Sequence, residues 1–486
     1  MRLSPATLDL LPADVARPGY DRAAVMRGVV HLGIGAFHRA HQAVVFDRAL
    51  AAGDLRWGVT GVSLRSAETR DRLAAQDGLY TLLIRDGDAV TAQVIGAVRE
   101  VLVAPEDPAA VVAALADPAV HLVTLTITEK GYRLDRGRLR MDDADVAADL
   151  ADLSAPRTAI GLIVAGLAAR RCAGVAPFTA LSCDNLPHNG AVLRSAVLAM
   201  AAAHNPALHD WIAASGAFPA TMVDRIVPAT TPVDIAALAG RSGVEDRAMV
   251  KTEPFLQWVV EDWFCGLRPD LAALGVQLTD AVAPWEDAKL RLLNGAHSGI
   301  AYLGGLAGID FVHQFVAREE GWAFVDALWD ESAATLDAPR GLDIPGYCAA
   351  LMARFGNAAL EHRTDQIAQD GSQKLPQRLI APIMARRAAG LPVDMLTLAV
   401  AAWMRWQDGR DDAGRAFAIE DPMAATTAAA LAGKTRAADR VDALLAIDAI
   451  FPPDLAADCA VRDRLVEWVE RLQDQGALGV LAGLAH

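Results

Sequence analysis

The sequence predicts an α/β domain with a mainly parallel sheet, followed by a mainly α-helical domain. Three observations support this fold class. In the first half, short apolar runs typical of buried strands alternate with helix-like segments. A glycine-rich turn joins the first strong strand to a helix. After about residue 285, amphipathic helical patterns dominate. We place the boundary near Asp280–Pro284, which gives domains at 1–283 and 284–486.

The strands of the first half follow one another with helical segments between most of them. Tyr80–Ile84 and Val90–Ile95 are predicted to form a hairpin, because the polar run Arg85–Asp88 separates them. The first predicted helix is Phe37–Leu50. The other predicted strands are Val29–Leu32, Trp57–Leu64, His121–Thr128 and Phe178–Ser182, and the predicted helices of the second half include Met395–Trp406 and Arg440–Ile450.

The composition limits the classes of function. Of the 486 residues, 53% are hydrophobic, which is typical of a globular protein. The net charge of -15 argues against nucleic acid or an anionic membrane as a partner. The N-terminus lacks a signal-peptide pattern, and apolar stretches such as Ala159–Ala169 are too short to span a bilayer, which favours the cytoplasm. The five cysteines are scattered, without a CxxC, and support neither disulfides nor a zinc cluster.

The glycine turn is the cofactor signal. It follows the strand Val29–Leu32 and opens a helix, as in the Rossmann-type folds that bind NAD. The first glycine permits a tight turn, and the second lets the backbone approach a pyrophosphate. A histidine replaces the third glycine of the usual pattern, so an ordinary strand-to-helix turn remains an alternative. The predicted cofactor contacts here are Gly33, Gly35, Ala36, Phe37, His38 and Arg39.

An acidic residue after the second strand usually binds the adenine ribose of NAD. Glu68 is the candidate, although the neighbouring arginines could instead hold the extra phosphate of NADP, and the sequence leaves this open. His31, His38 and His41 match no common metal motif, so no metal is expected.

The segment Lys289–His297 carries the chemistry of the second half. A lysine can act as a general base, and an asparagine and a histidine nearby can hold a substrate oxygen. On an α-helix Asn294 and His297 are about 60° apart, but Lys289 is about 140° from Asn294, so a regular helix would not aim both at one atom. A surface lysine beside a satisfied histidine is the alternative.

Two further polar clusters are candidates for the same site. Ser182–Gly190 follows a predicted strand, and ligands of open α/β sheets bind beyond the carboxyl ends of strands. Its alternative interpretation is a turn rich in Asp, Asn and Gly. Asp370–Arg378 contains two cations that suit an anionic or polyhydroxylated ligand, and its alternative is a solvated loop.

Together these segments resemble the mannitol dehydrogenase family, the long-chain polyol and sugar-acid dehydrogenases. The segments that carry the resemblance are Gly33–Gln42, Ser182–Gly190, Met222–Ile226, Glu253–Phe255 and the set Lys289, Asn294 and His297. The resemblance implies a Rossmann-type N-terminal domain, a largely helical C-terminal domain, and a site in the cleft between them. It also implies metal-independent hydride transfer to or from NAD.

The resemblance also implies roles for the catalytic residues. Lys289 would be the general acid/base, and Glu286 would pass its proton outward. Asn185 and Asn294 would form the pair that binds the oxyanion, and His297 would orient the substrate.

The substrate contacts that the resemblance implies are Lys374, which would contact hydroxyl groups, and Asp224, which would line the site. Mannitol 2-dehydrogenases can carry an arginine eight residues before this lysine, and here that position is Gln366. The run that ends at Arg378 looks more like fructuronate reductases, which interconvert fructuronate and mannonate. Either cation could pair with the carboxylate of a sugar acid.

The leading hypothesis is therefore an NAD-dependent fructuronate reductase. The alternatives are a mannitol 2-dehydrogenase or another polyol dehydrogenase, acting for example on arabinitol or sorbitol. A protein of another class, one that senses NAD(H) without catalysis, would keep the fold alone. No coiled-coil heptad is evident, and the family resemblance is compatible with a functional monomer.

Overall fold

The α/β part of the chain, Met1–Val282, and the helical part, Ala283–His486, are separate compact units. The computed structural model describes residues 1–135, 137–338 and 341–484. The strands, in chain order, are β1 (Val15–Ala16), β2 (Val29–Leu32), β3 (Val59–Ser63), β4 (Tyr80–Asp86), β5 (Ala89–Ile95), β6 (Val98–Val103), β7 (Leu122–Leu125), β8 (Leu134–Asp135), β9 (Arg138–Leu139), β10 (Thr179–Ser182), β11 (Thr221–Asp224), β12 (Val250–Thr252), β13 (Gln257–Glu261) and β14 (Gln277–Thr279). The α-helices of the same unit are α1 (Ala36–Ala40), α2 (Gln42–Ala51), α3 (Glu68–Ala74), α4 (Pro108–Ala116), α5 (Ala144–Ala151), α6 (Ala159–Cys172), α7 (Asn189–His204), α8 (Pro206–Ser215) and α9 (Pro232–Ser242).

A five-stranded parallel sheet organises the first unit, in the order β10-β7-β2-β3-β6. Every residue of β2, β7 and β10 is buried, which explains why these strands appear in the sequence as short, unbroken apolar runs. From β2 the chain runs to β3 and β6 on one side and later to β7 and β10 on the other. The carboxyl end of β2 is therefore the point at which ligands bind in doubly wound sheets.

Three smaller sheets complete the first unit. β4 and β5 form the predicted antiparallel hairpin, within a sheet of order β1-β5-β4-β12. β13 lies between β11 and β14 in a mixed sheet, and β8 pairs with β9. The predicted fold class is confirmed, with a mainly parallel α/β unit first and a helical unit after it.

Some predicted elements end elsewhere in the structure. The predicted helix Phe37–Leu50 is broken at His41, whose φ of -122° and ψ of -90° are not helical and whose ring bonds to the carbonyl of Gln257. The predicted helix Arg440–Ile450 ends instead at Leu445, where short turns lead to two prolines that cannot continue a helix.

The second unit is built from helices. These are α10 (Ala283–Ala288), α11 (Gly295–Leu306), α12 (Val312–Val316), α13 (Glu319–Ala333), α14 (Ile344–Phe355), α15 (Thr364–Ala368), α16 (Gly371–Leu375), α17 (Ala381–Ala388), α18 (Asp394–Trp406), α19 (Ala424–Leu431), α20 (Ala437–Leu445), α21 (Pro453–Ala456) and α22 (Cys459–Ala482). α11 is buried along almost its whole length. Two π-helical turns, Lys289–Asn294 and Pro376–Ile380, interrupt this pattern.

Two further features are absent from the described ranges. No helix there has both the length and the apolarity that crossing a bilayer requires. No group of three or more His, Cys, Asp or Glu side chains there is arranged to hold a metal ion.

Candidate active site

The glycine turn after β2 depends on the absence of a side chain at Gly33. Its φ is +99°, and a Cβ there would lie 2.2 Å from the carbonyl oxygen of Thr126. Gly35 differs, because among the described residues that are not adjacent to it in the chain, its Cβ would meet just the carbonyl oxygen of Gly33, 3.8 Å away. The first glycine is therefore required by the fold, whereas the second presents an open backbone face of the kind a ligand can approach.

We expect Gly33→Ala to destabilise the protein by roughly 2 kcal/mol or more, because strained φ and a clash with backbone act together. Gly53→Ala is the matched control, since Gly53 has a φ of +97°, but no described residue beyond its chain neighbours lies within 4 Å of its Cβ position. Thermal unfolding of the two variants separates the clash from the φ strain. Equal losses of stability would contradict a special role for the contact with Thr126.

His38, at the position of the missing third glycine, stacks on His31 with ring centroids 3.4 Å apart. His31 bonds through Nδ1 to the hydroxyl of Thr124 at 2.7 Å and through Nε2 to that of Thr126 at 2.9 Å. Burial lowers the pKa of both imidazoles, to about 3 for His31, so the stacked pair is uncharged. Both nitrogens of His31 are thus used to hold the strands beside the turn.

The side chains that follow the turn are engaged with the protein. The Arg39 guanidinium donates to the carbonyl of Ala248 and lies 5.6 Å from the centroid of the Tyr80 ring. Phe37 stacks on His41, and Ala36 opens α1. A cofactor contact by Arg39 or Phe37, as predicted from the sequence, would therefore have to come from backbone or to displace these interactions.

Glu68 opens α3, is exposed, and forms an ion pair with Arg72. Arg70 pairs with Asp71 and Glu106. Two of the arginines that could hold the extra phosphate of NADP therefore already have carboxylate partners, which favours NAD over NADP as the cofactor at this position.

The loop after β10 presents Asn185 on a fixed scaffold. The carboxylate of Asp184 accepts from the backbone N–H of Thr128 at 2.8 Å and from the Tyr132 hydroxyl at 2.7 Å. Asn189 donates to the carbonyls of Asp184 and Thr221. Asn185 itself is exposed, in the bend between Asp184 and Asn189. Asp224, the other predicted site residue of this unit, is buried at the end of β11.

In the second unit, a cavity of about 250 Å³ brings together residues predicted from separate segments. Its wall consists of Asn294, His297, His362, Gln366, Ile367, Lys374 and Arg378. The wall thus includes the five predicted site residues that follow Lys289 in the chain. It also includes His362, which sequence reasoning missed because no motif or spacing distinguishes it.

The π turn Lys289–Asn294 changes the geometry that an α-helix would impose. The backbone N–H of Gly295 donates to the carbonyl of Leu290, five residues earlier. In a π turn, two side chains five residues apart are separated by a smaller angle about the helix axis than on an α-helix. The large angle that an α-helix would place between Lys289 and Asn294 is therefore mostly removed. Glu286 lies one turn before and, like Lys289, is half-buried.

The second π turn, Pro376–Ile380, carries Arg378 and packs against the start of α11. A Cβ on Gly295 would lie 3.1 Å from the Arg378 carbonyl, so the glycine permits this close approach. The Arg378 guanidinium is 3.2 Å from the Ser298 hydroxyl and 3.4 Å from the carbonyl of Asn294. Burial lowers the pKa of Arg378 to about 10, which leaves it a cation at neutral pH.

The other polar groups of the cavity differ in whether they have hydrogen-bond partners. Lys374 donates to the carbonyls of Ile367 and Gln369, and burial, together with the charge of Arg378, lowers its pKa. His297 is buried, and burial lowers its pKa well below the usual range. Its Nε2 has no hydrogen-bond partner among the described residues. Such a buried, unpaired nitrogen is suited to bind an oxygen of a ligand.

Two family models match the chain, one for each unit. The mannitol dehydrogenase Rossmann domain matches residues 27–273, and the mannitol dehydrogenase C-terminal domain matches residues 281–473. The D-mannonate oxidoreductase of Escherichia coli is 40% identical, with 97% of this chain and 98% of that protein covered. The mannitol 2-dehydrogenase of Pyrenophora tritici-repentis is 40% identical, with 96% and 83% covered.

A solved structure extends this likeness to three dimensions. The ternary complex of Pseudomonas fluorescens mannitol 2-dehydrogenase with NAD and D-mannitol matches with a TM-score of 0.83 and 38% identity. The match covers 100% of this chain and 99% of that one. The resemblance inferred from the sequence motifs is confirmed, and the chain belongs to the mannitol dehydrogenase family of oxidoreductases.

Proposed function

We propose that this protein interconverts a secondary alcohol and a ketone on a sugar acid, with D-mannonate and D-fructuronate as the leading pair and NAD as the hydride carrier. The charge of the cavity is the observation that carries this choice of substrate. Lys374 and Arg378 both line it, and its described wall includes no carboxylate. Two cations in one small cavity favour an anionic ligand.

The two units would bind different reactants. The first unit, with Gly33, Gly35 and Glu68, would hold NAD, and the second would hold the sugar acid. An NAD complex is known for the Pseudomonas fluorescens relative, which supports NAD here. The part of Asn185, which belongs to the first unit, remains a prediction from sequence resemblance.

In the proposed reduction, NADH bound in the first unit would supply the hydride that reduces the ketone carbon, C5 of fructuronate. Lys289 supplies the proton that the developing alkoxide needs, and Glu286 exchanges it with solvent. Asn294 and His297 donate to the substrate oxygen and fix its orientation. Oxidation reverses these steps and needs neutral Lys289, so we expect it to be faster at alkaline pH.

A neutral polyol is the second candidate substrate, and one observation favours it. Both cations of the cavity already donate to backbone carbonyls, Lys374 to Ile367 and Gln369 and Arg378 to Asn294. A carboxylate would have to compete with these bonds. A mannitol 2-dehydrogenase activity would leave them in place.

The absorbance of NADH, followed with fructuronate, tagaturonate, fructose and xylulose, distinguishes these candidates. We expect kcat/KM to be highest with fructuronate.

Arg378→Met should lower kcat/KM for every substrate to some extent, because Arg378 supports Asn294. For fructuronate alone, the variant should also raise KM by a factor of roughly 10 to 100, because a charged hydrogen bond to the carboxylate is lost.

The control for this comparison is Arg436→Met, which removes an exposed arginine of the same unit. Fructose preferred over fructuronate, with no selective effect of Arg378→Met, would favour the polyol dehydrogenase. NADH binding without turnover of any of the four compounds would favour a sensor and would contradict the proposed function.

A further inference from the structure

His362 has no part in the proposed reaction, although it lines the same cavity as Asn294 and His297, two of the predicted catalytic residues. It lies in the short loop between the 3-10 helix Ala358–Leu360 and α15. Its ring meets that of His297 edge-on, with centroids 4.8 Å apart and an interplanar angle of 83°. The two imidazoles therefore form adjacent parts of one wall.

The backbone around His362 is fixed from both sides. Val312 donates its N–H to the His362 carbonyl at 3.0 Å. Thr364 bonds to the carbonyl of Asp310 through its N–H and to that of Ile309 through its hydroxyl. Glu361, directly before the histidine, has a φ of +46°, which is unfavourable for a residue other than glycine. The fold thus retains a strained residue where it presents this ring to the cavity.

The chemical state of His362 suits hydroxyl recognition. Burial, and secondarily the charge of Arg354, lower its pKa to about 4, so the ring is neutral under assay conditions. A neutral imidazole offers one N–H donor and one acceptor nitrogen. Beside it, His297 contributes a nitrogen without a partner among the described residues. Two neutral rings in contact can bond to two oxygens of one sugar chain, the ketone oxygen at His297 and a hydroxyl at His362.

We propose that His362 is a specificity-determining residue that binds a hydroxyl group of the substrate, one or two carbons from the group held by His297. The substrate class is then a ketone that carries hydroxyls along its chain, and a ketone without them would be a poor substrate. This inference rests on the proposed function, because it assumes that the sugar occupies this cavity.

The test pairs the full-length variant His362→Phe with deoxy substrates. The phenylalanine keeps an aromatic ring against His297 but cannot form a hydrogen bond. Wild-type protein and variant are assayed by NADH absorbance with the best substrate of the panel and with analogues that each lack one hydroxyl. The control His313→Phe replaces a half-exposed histidine of α12 outside the cavity. His362→Gln tests whether an amide can replace the imidazole as a hydrogen-bonding group.

For the analogue that lacks the hydroxyl bound by His362, we expect the kcat/KM of the wild type to be about tenfold lower than for the full substrate. The variant His362→Phe should use this analogue and the full substrate equally well. His362→Phe should raise KM about tenfold with kcat nearly unchanged, and His362→Gln should recover part of this loss. A merely structural role would instead give the same deoxy penalty in variant and wild type, and this result would overturn the inference. If the wild type reduces none of the ketones, the proposed function itself fails.

Discussion

The variant Lys289→Ala is expected to lose between roughly 100- and 10,000-fold in kcat, the range that a positioned general acid/base contributes. Its affinity for NADH should be nearly unchanged, because the predicted cofactor contacts belong to the first unit. In the proposed reduction the ketone oxygen gains negative charge as hydride arrives. Without the ammonium group, water must supply the proton, from a less favourable position.

Stopped-flow measurement of NADH oxidation, together with a fluorescence titration of NADH, separates these two effects. The matched control is Lys434→Ala, which removes a half-exposed lysine elsewhere in the second unit. Turnover close to that of the wild type in Lys289→Ala would contradict the assignment of Lys289, even if the protein proves to be a dehydrogenase.

The second large effect is expected for Asn294→Ala, which should lower kcat by roughly 100- to 1,000-fold, as removal of one oxyanion donor does. The loss should not come from unfolding. Asn294 ends a helical turn, is only half-buried, and alanine is the better helix former. The contacts of its backbone carbonyl with Arg378 and Ser298 do not depend on the amide side chain.

Steady-state kinetics and thermal unfolding of the same preparation check both parts of this expectation. Gln373→Ala is the control, because Gln373 is an exposed amide beside Lys374 and is not part of the cavity wall. A variant that is less stable and proportionately less active would point to a structural role for Asn294. A variant that is as stable and as active as the wild type would remove it from the mechanism.

The parallel sheet could be predicted from the sequence because burial on both faces leaves a direct signal. β2, β7 and β10 appear as short apolar runs, and Gly33 marks the turn that follows β2. Other consequences of packing leave no such signal. The guanidinium of Arg39 donates to the carbonyl of Ala248, from a segment more than 200 positions away in the chain, and no local pattern indicates this contact.

Some residues of the cavity in the second unit could be predicted from the sequence, and others could not. Asn294 and Arg378 are predicted from their chemistry and Gln366 from the family resemblance, and the structure places all three on one wall. The relation between Lys289 and Asn294 could not be predicted, because helical periodicity assumes 3.6 residues per turn and the chain forms a π turn there. His362 was missed because no motif or spacing distinguishes it, and the sequence does not predict the positive φ of Glu361 directly before it.

In the proposed reaction, hydride is transferred directly from NADH to the ketone carbon of a sugar acid. The most direct test is to incubate the wild-type protein with fructuronate and NADH deuterated at its transferable position, and to analyse the product by NMR. We expect mannonate with one deuterium at C5 for each NADH oxidised. Product without deuterium, or NADH bound and unchanged in the presence of fructuronate, would contradict it.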